Sequence, residues 1–193
     1  MRTLRIAIAA MAACLLMLAG CKEAPDKPAA GSTPVSIAAI EAEGRGFTVG
    51  SSMSVRTVYV FFDPQCPHCA ALWQSAKPLK SQAKFIWMPV ALIGKTSEGQ
   101  GAAILAAKDP VATMDEHEAS LSAKQGGISA MGDLDAQRAQ VVKNTALMTR
   151  FGFASIPSIV ATHAQSGALV THEGALATPE LAAFLGLQPP AGQ

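Results

Sequence analysis

The most constraining stretch of the chain runs from Val58 to Cys69. Val58-Tyr59-Val60-Phe61-Phe62 is an unbroken apolar run of β-branched and aromatic residues, as carried by a strand buried on both faces. Asp63-Pro64-Gln65 interrupts it, and Cys66-Pro67-His68-Cys69 follows at once. From Cys69 the apolar residues fall at helical spacing (Ala70, Leu72, Trp73, Ala76) until Pro78 kinks or ends the helix. A thiolate at Cys66 would face the unsatisfied N–H groups and positive end of that helix, which favour the anion. Cys69, about one turn further on, can reach a mixed disulfide formed at Cys66. His68 adds a donor or partial positive charge beside the sulfur. Stabilising the reduced thiolate in this way makes the disulfide a stronger oxidant.

The other cysteines have a different setting. Arg2 and Arg5 precede the apolar run Ile6–Leu18, a positive segment followed by a core of export-signal length. The run is short for a bilayer span and meets Lys22, Glu23 and Asp26 directly. It ends in Leu18-Ala19-Gly20-Cys21, which resembles the lipobox of bacterial lipoproteins. That resemblance implies a signal over residues 1–20, lipidation of Cys21 and a membrane anchor. Cys14 leaves with the signal, so two of the four cysteines, Cys66 and Cys69, remain in the exported body. A disulfide-stapled scaffold needs more of them, well separated, so this pair is not a fold staple.

Residues 21–35 are polar and rich in Pro, Ala and Gly and read as a flexible tether. Residues 36–54 read as a short linking helix and strand: Ser36–Glu43 ended by Gly44 and Gly46, then Phe47–Val49. The ordered body is expected over 55–187 and a frayed tail over 188–193. Phe85–Leu92 reads as a second buried strand. Helices are expected at Gln100–Lys108, Val111–Leu121 and Asp135–Phe151, with a glycine-rich loop at Gln125–Gly132. Pro157–Ala161 and Ala168–Val170 form a hairpin, and Thr178 caps a last helix that Pro179 opens. A net charge of +1, with 15 basic and 14 acidic side chains, offers no field for nucleic acid.

The order is strand, helix, strand, helical block, hairpin and helix, with C-x-x-C at the first strand-to-helix junction. This is the α/β pattern of the thioredoxin fold, with a helical insertion at about 97–151 before the C-terminal hairpin and helix. Val60 through Cys69 resembles the active-site stretch of the bacterial periplasmic disulfide isomerases DsbC and DsbG. Ala102–Pro110, with His117-Glu118-Ala119-Ser120, is similar to the helical insert of DsbG. Asn144–Phe153 and Ile156-Pro157-Ser158-Ile159 match that family's run into its cis-proline. The resemblance implies Cys66 as an exposed nucleophile and Cys69 as the resolving thiol. It also implies a cis-proline at Pro157, with the Ile156 backbone pairing with an extended client segment. The reaction it implies is thiol–disulfide exchange on exported cysteine-containing proteins in the periplasm. No cofactor is implied beyond the chain's own redox-active Cys66–Cys69 disulfide, and a DsbD-like donor or DsbB-like acceptor in the membrane would reset the pair.

Several features depart from the isomerase pattern. Too few residues separate Cys21 from the body for the family's N-terminal dimerisation domain, so a monomer is expected. Pro67-His68 is the dipeptide of the DsbA oxidants, where DsbG-like proteins usually have Pro-Tyr, and this opens an oxidant as the alternative. Ile156 stands where the isomerases usually have Thr. Val60 occupies the strand position at which thioredoxins and DsbA place a buried acid, so proton transfer at Cys69 needs another route. Asp63 either shapes the turn before Cys66 or assists proton transfer. Other classes stay open: a structural disulfide, a metal held by the cysteines with a histidine, or a lipoprotein that binds a partner without catalysis. No second C-x-x-C or His-x-x-His accompanies the pair, so no metal is expected. Trp73 and Trp87 read as core, and His117, His163 and His172 as surface residues.

Overall fold

The computed structural model describes residues 32–190. The signal, Cys14, Cys21 and most of the tether lie outside the described residues.

Strand β2 (Thr57–Phe62) is the centre of a five-stranded sheet. It pairs in parallel with β3 (Lys84–Pro89) on one side and antiparallel with β4 (Ser158–Thr162) on the other. Strand β1 (Phe47–Gly50) runs antiparallel to β3 at one edge, and β5 (Leu169–Glu173) antiparallel to β4 at the other. The alternation of β2 decides what covers each face. Val58, Val60 and Phe62 pack on the face covered by α2 (Pro67–Ala76) and α6 (Thr178–Leu185), against Leu72, Trp73, Leu181 and Leu185. Tyr59 and Phe61 point to the other face, against Ile40 of α1 (Ile37–Glu43) and Leu147 and Met148 of α5 (Asp135–Arg150).

An aromatic cluster fixes α2 to the sheet. Trp73 meets Trp87 edge to face at 4.9 Å, Phe62 meets Trp87 at 5.5 Å, and Phe47 touches both Phe62 and Trp73. Each such side chain contributes roughly 1.5–3 kcal/mol by leaving water. The helix passes into a 3-10 turn at Lys77–Leu79, where Pro78 removes a helical donor.

The residues expected to link tether and body belong to the body. Phe47 extends the aromatic cluster, Ile40 is buried, and Asn144 of α5 bridges to both neighbouring segments. Its amide nitrogen donates to the carbonyls of Arg45 and Pro89, and its oxygen accepts from the Arg45 N–H. The tether's end is also held, because Thr33 N–H donates to the Arg150 carbonyl at 2.8 Å. In the expected tail, Gln188 exchanges two hydrogen bonds with Gln82. Strand β3 stops at Pro89, short of Leu92, for a reason that belongs to the site.

The insert comprises α3 (Lys95–Ala106), α4 (Pro110–Ser122) and α5. Asp109 caps α4 by accepting from Ala112 N–H, and Pro110 fills the first helical position. Thr178 is not the cap of α6: Ala177 is, and its N–H is taken by the Glu180 carboxylate at 3.1 Å. The Thr178 hydroxyl instead donates to the Ser75 carbonyl, tying α6 to α2.

Candidate active site

The site forms where β2 ends. Asp63 is fully buried, and both its oxygens are committed to backbone donors. Oδ1 accepts from Gln65 N–H at 2.9 Å. Oδ2 accepts from Leu92 N–H at 2.8 Å and Ile93 N–H at 2.9 Å. One carboxylate thus shapes the turn before Cys66 and draws the chain after β3 away from its ladder, which is why the strand ends early. Leu92 and Ile93 are left exposed on the rim of this turn.

Cys66 is the N-cap of α2, with Pro67 at the first helical position. The Cys66 carbonyl accepts from the N–H groups of Cys69 and Ala70 at 3.0 and 3.2 Å, closing the first turn. Cys66 is 5% exposed and Cys69 0%, so the nucleophile position is far less open than the sequence suggests, and the order of access is as expected. Both are free thiols. A hydrogen bond from the Cys69 thiol brings Cys66 down to about 6. Burial opposes this, and the N–H groups of Cys69 and His68 and the His68 charge support it. Burial pushes Cys69 strongly up, and the hydrogen bond and charge of Cys66 push the same way. The pair therefore divides into an ionised outer sulfur and a protonated inner one.

The cis peptide Ile156–Pro157 faces this end of α2. The Ile156 carbonyl oxygen lies 3.8 Å from Cys66 Sγ. Glu173 of β5 holds the loop before it, since Oε2 accepts from Ala154 N–H, Ser155 N–H and the Ser155 hydroxyl.

The insert grips the site from the opposite side, through residues for which no role in the site was expected. His117, expected at the surface, is fully buried. Its Nε2 lies 2.8 Å from the Pro64 carbonyl oxygen, and its Nδ1 accepts from Ile128 N–H. Gln65 and Gln100 are hydrogen-bonded through their amides, and Gln100 also donates to the carbonyls of Gly126 and Ile128. Glu118 is 5% exposed and shares a groove with Ala70, Ala71 and Gln74 of α2. The signal for both was present: His117 and Glu118 follow Met114 by three and four residues, on the face that Met114 buries. Trp73 and Trp87 are core as expected, while Trp73 also donates to Asp115 Oδ1 at 2.7 Å. His163 and His172 are half-buried in the hairpin segment, remote in sequence from the thiols. Among the described residues, no three His, Cys, Asp or Glu side chains are grouped to hold a metal.

The family of thioredoxin-like domains matches residues 51–188. The chain belongs to that family. It is 34% identical over 142 residues to the thiol:disulfide interchange protein DsbG of Pseudomonas aeruginosa, covering 71% of this chain and 54% of that one. The chain therefore spans about half the length of this relative. Two solved structures share the fold. A periplasmic thioredoxin-like protein from Salmonella enterica serovar Typhimurium superposes with TM-score 0.61 at 15% identity, over 80% of this chain and 97% of that one. The catalytic domain of Proteus mirabilis ScsC gives 0.59 at 16% identity, over 77% and 96%.

Proposed function

We propose that the chain is a periplasmic thiol–disulfide oxidoreductase, anchored through Cys21, that isomerises or reduces disulfides of exported proteins in a DsbG-like manner. The observation that carries this reading is the geometry at the head of α2: Cys66 caps the helix with the Ile156 carbonyl of the cis-proline loop 3.8 Å from its Sγ, and Cys69 lies fully buried one turn behind it.

The Cys66 thiolate attacks one sulfur of a client disulfide. A Cys66–client bond forms, the client's own S–S bond breaks, and the departing thiolate takes a proton from solvent. In isomerisation a second client thiolate then displaces Cys66 and restores it. In reduction Cys69 loses its proton and attacks the Cys66 sulfur, releasing the client as a thiolate and leaving the Cys66–Cys69 disulfide. The client has then gained two electrons, and a dithiol donor of the DsbD kind returns them to the pair. The Ile156 backbone beside Cys66 suits an extended client segment.

A second reading is a DsbA-like oxidant, reset by a DsbB-like acceptor. Pro67-His68 favours it, because the His68 charge stabilises the reduced thiolate and so weakens the disulfide.

The test is the equilibrium reduction potential of Cys66–Cys69 against glutathione. A value near the roughly −120 mV of DsbA supports exchange chemistry. A value below about −300 mV marks a stable structural disulfide and overturns it. Refolding of a scrambled substrate then separates isomerase from oxidant. Cys66→Ser abolishes either activity, whereas a binding protein without catalysis would tolerate it.

A further inference from the structure

Among the described residues one ionisable side chain is buried with an oxygen that has no hydrogen-bond partner: Glu118, through Oε1. It lies on α4 one turn after Met114, which packs in the same cluster as Cys66 and Cys69. Glu118 lines a groove of about 410 Å³ between α4 and α2, together with Ala70, Ala71 and Gln74. Ala70 is the residue whose N–H closes the turn on the Cys66 carbonyl, so the groove that Glu118 lines reaches the first turn of α2.

The charged groups that face it are few. Cys66 acts from the head of α2, Lys77 from the 3-10 turn and Asp115 from its own helix, while Gln74 and Ser122 in the groove carry no charge. His117 is occupied with Pro64 and Ile128. Burial pushes the Glu118 carboxyl up to about 7; the Cys66 charge adds to this, Lys77 opposes it and Asp115 reinforces it.

We propose that Glu118 takes up a proton when Cys66 becomes a thiolate and gives it up when the pair closes to a disulfide. This rests on reading Cys66–Cys69 as a redox pair. On reduction by a dithiol donor, the S–S bond accepts two electrons, Cys69 takes one proton and Cys66 stays ionised. Glu118 takes the second proton, so the buried site gains no net charge. On oxidation the thiolate charge disappears, Lys77 again favours the carboxylate, and the proton leaves. Glu118 acts through Cys66 and is a positioning residue. It places an acid beside the pair from the insert, where strand β2 offers only Val60.

The test is carboxyl-carbon NMR of the protein across pH, with the Glu118 resonance assigned by its loss in Glu118→Gln. The dithiol protein is expected to titrate near 7 at this position. The disulfide form and Cys66→Ser, which both lack the thiolate, should titrate lower by about half a unit or more. Equal midpoints in all three overturn the proposal. The thiolate's ultraviolet absorbance gives a second reading. Glu118→Gln should titrate in a single step with a lower midpoint than the parent, because the charge opposing the thiolate is gone, and superimposable curves overturn the coupling. Exchange with glutathione is followed in parallel. A redox-inert pair whose Cys66→Ser variant still shifts Glu118 sinks the functional reading and the redox cycle but keeps the charge coupling. Active exchange with unshifted midpoints sinks the proposal alone.

Discussion

His117 Nε2 lies 2.8 Å from the carbonyl oxygen of Pro64, so a helix of the insert holds the backbone two residues before Cys66. Because Nδ1 accepts from Ile128 N–H, Nε2 carries the proton and the ring is neutral. Removing the ring in His117→Ala leaves a cavity and an unpaired Pro64 carbonyl. The expected loss is roughly 3 kcal/mol in chemical denaturation. Gly127→Ala strikes the same brace from outside. Its Cβ would stand 2.5 Å from the His117 ring, at a φ of +87° that an L side chain resists. Unchanged stability in both variants would refute the brace.

The adjacent pair His117 and Glu118 should oppose each other in the pH dependence of stability. Burial moves His117 down from 6.5 and Glu118 up from 4.5 to about 7. As pH falls below 6.5 the unfolded chain protonates its histidine and the folded chain resists, so this contribution is lost on acidification. As pH rises from 4.5 through about 7 the unfolded chain ionises its glutamate first, so that contribution is lost on alkalinisation. Urea unfolding of the parent, Glu118→Gln and His117→Asn across this range checks the signs. Relative to the parent, Glu118→Gln should gain stability with rising pH and His117→Asn should lose it. Parallel curves for all three would refute the assignment.

What the sequence made legible follows from how local each signal was. The β2–Cys66–α2 junction is contiguous, and a run such as Val58–Phe62 admits few alternatives. Helix α1 starts at Ser36, whose hydroxyl oxygen accepts from Ala39 N–H, and α4 starts at Asp109-Pro110, but α3 begins at Lys95, five residues before the expected Gln100, with no side-chain cap to announce it. Strand β1 is different: it was readable as a strand, but its pairing with β3 joins residues far apart in sequence, which no periodicity encodes. Leu92 looked like the end of β3 because its apolarity does not reveal that Asp63 takes its N–H and that of Ile93. His117 was misplaced at the surface and Glu118 was assigned no role, because polar residues on a helix are usually solvated and only their spacing from Met114 argued otherwise.

The Cys66 thiolate should appear as reactivity at mildly acidic pH. The alkylation rate of Cys66 by iodoacetamide is expected to rise with a midpoint of about 6, with Cys69 silent throughout. The first cause of that low value is the hydrogen bond from Cys69, so Cys69→Ala should move the midpoint upward. An unmoved midpoint would assign the anion's stability to the N–H groups of α2 and the His68 charge instead.

Ile156→Thr asks what a hydroxyl beside the sulfur would do. The Ile156 carbonyl is already 3.8 Å from Cys66 Sγ, and the Ile156 side chain packs against the clusters on both faces of the sheet. A threonine hydroxyl turned toward the sulfur would donate to the thiolate and lower the alkylation midpoint further. Replacing a half-buried ethyl group by a hydroxyl should cost roughly 1–2 kcal/mol of stability. An unchanged midpoint at the expected stability cost would show that side chain 156 does not reach the sulfur.

The last prediction concerns the opposite wall of the site. Glu173 Oε2 accepts at 2.9 Å from Ala154 N–H, at 2.7 Å from Ser155 N–H and at 3.0 Å from the Ser155 hydroxyl. Ser158 then donates to the Ser155 carbonyl, and Gly174 N–H donates to the Pro157 carbonyl at 2.7 Å. One carboxylate on β5 therefore sets the loop that presents Ile156 to Cys66. In Glu173→Ala the two amides lose their acceptor, and amide hydrogen exchange at Ala154 and Ser155 should quicken. Because the carboxylate is exposed, the stability cost should stay near 1 kcal/mol. The Cys66 thiolate is stabilised from α2, so its alkylation midpoint should remain near 6. If clients pair with this loop as proposed, exchange with a peptide disulfide should slow. A variant that leaves both amide protection and peptide exchange unchanged would show that β5 does not control the loop.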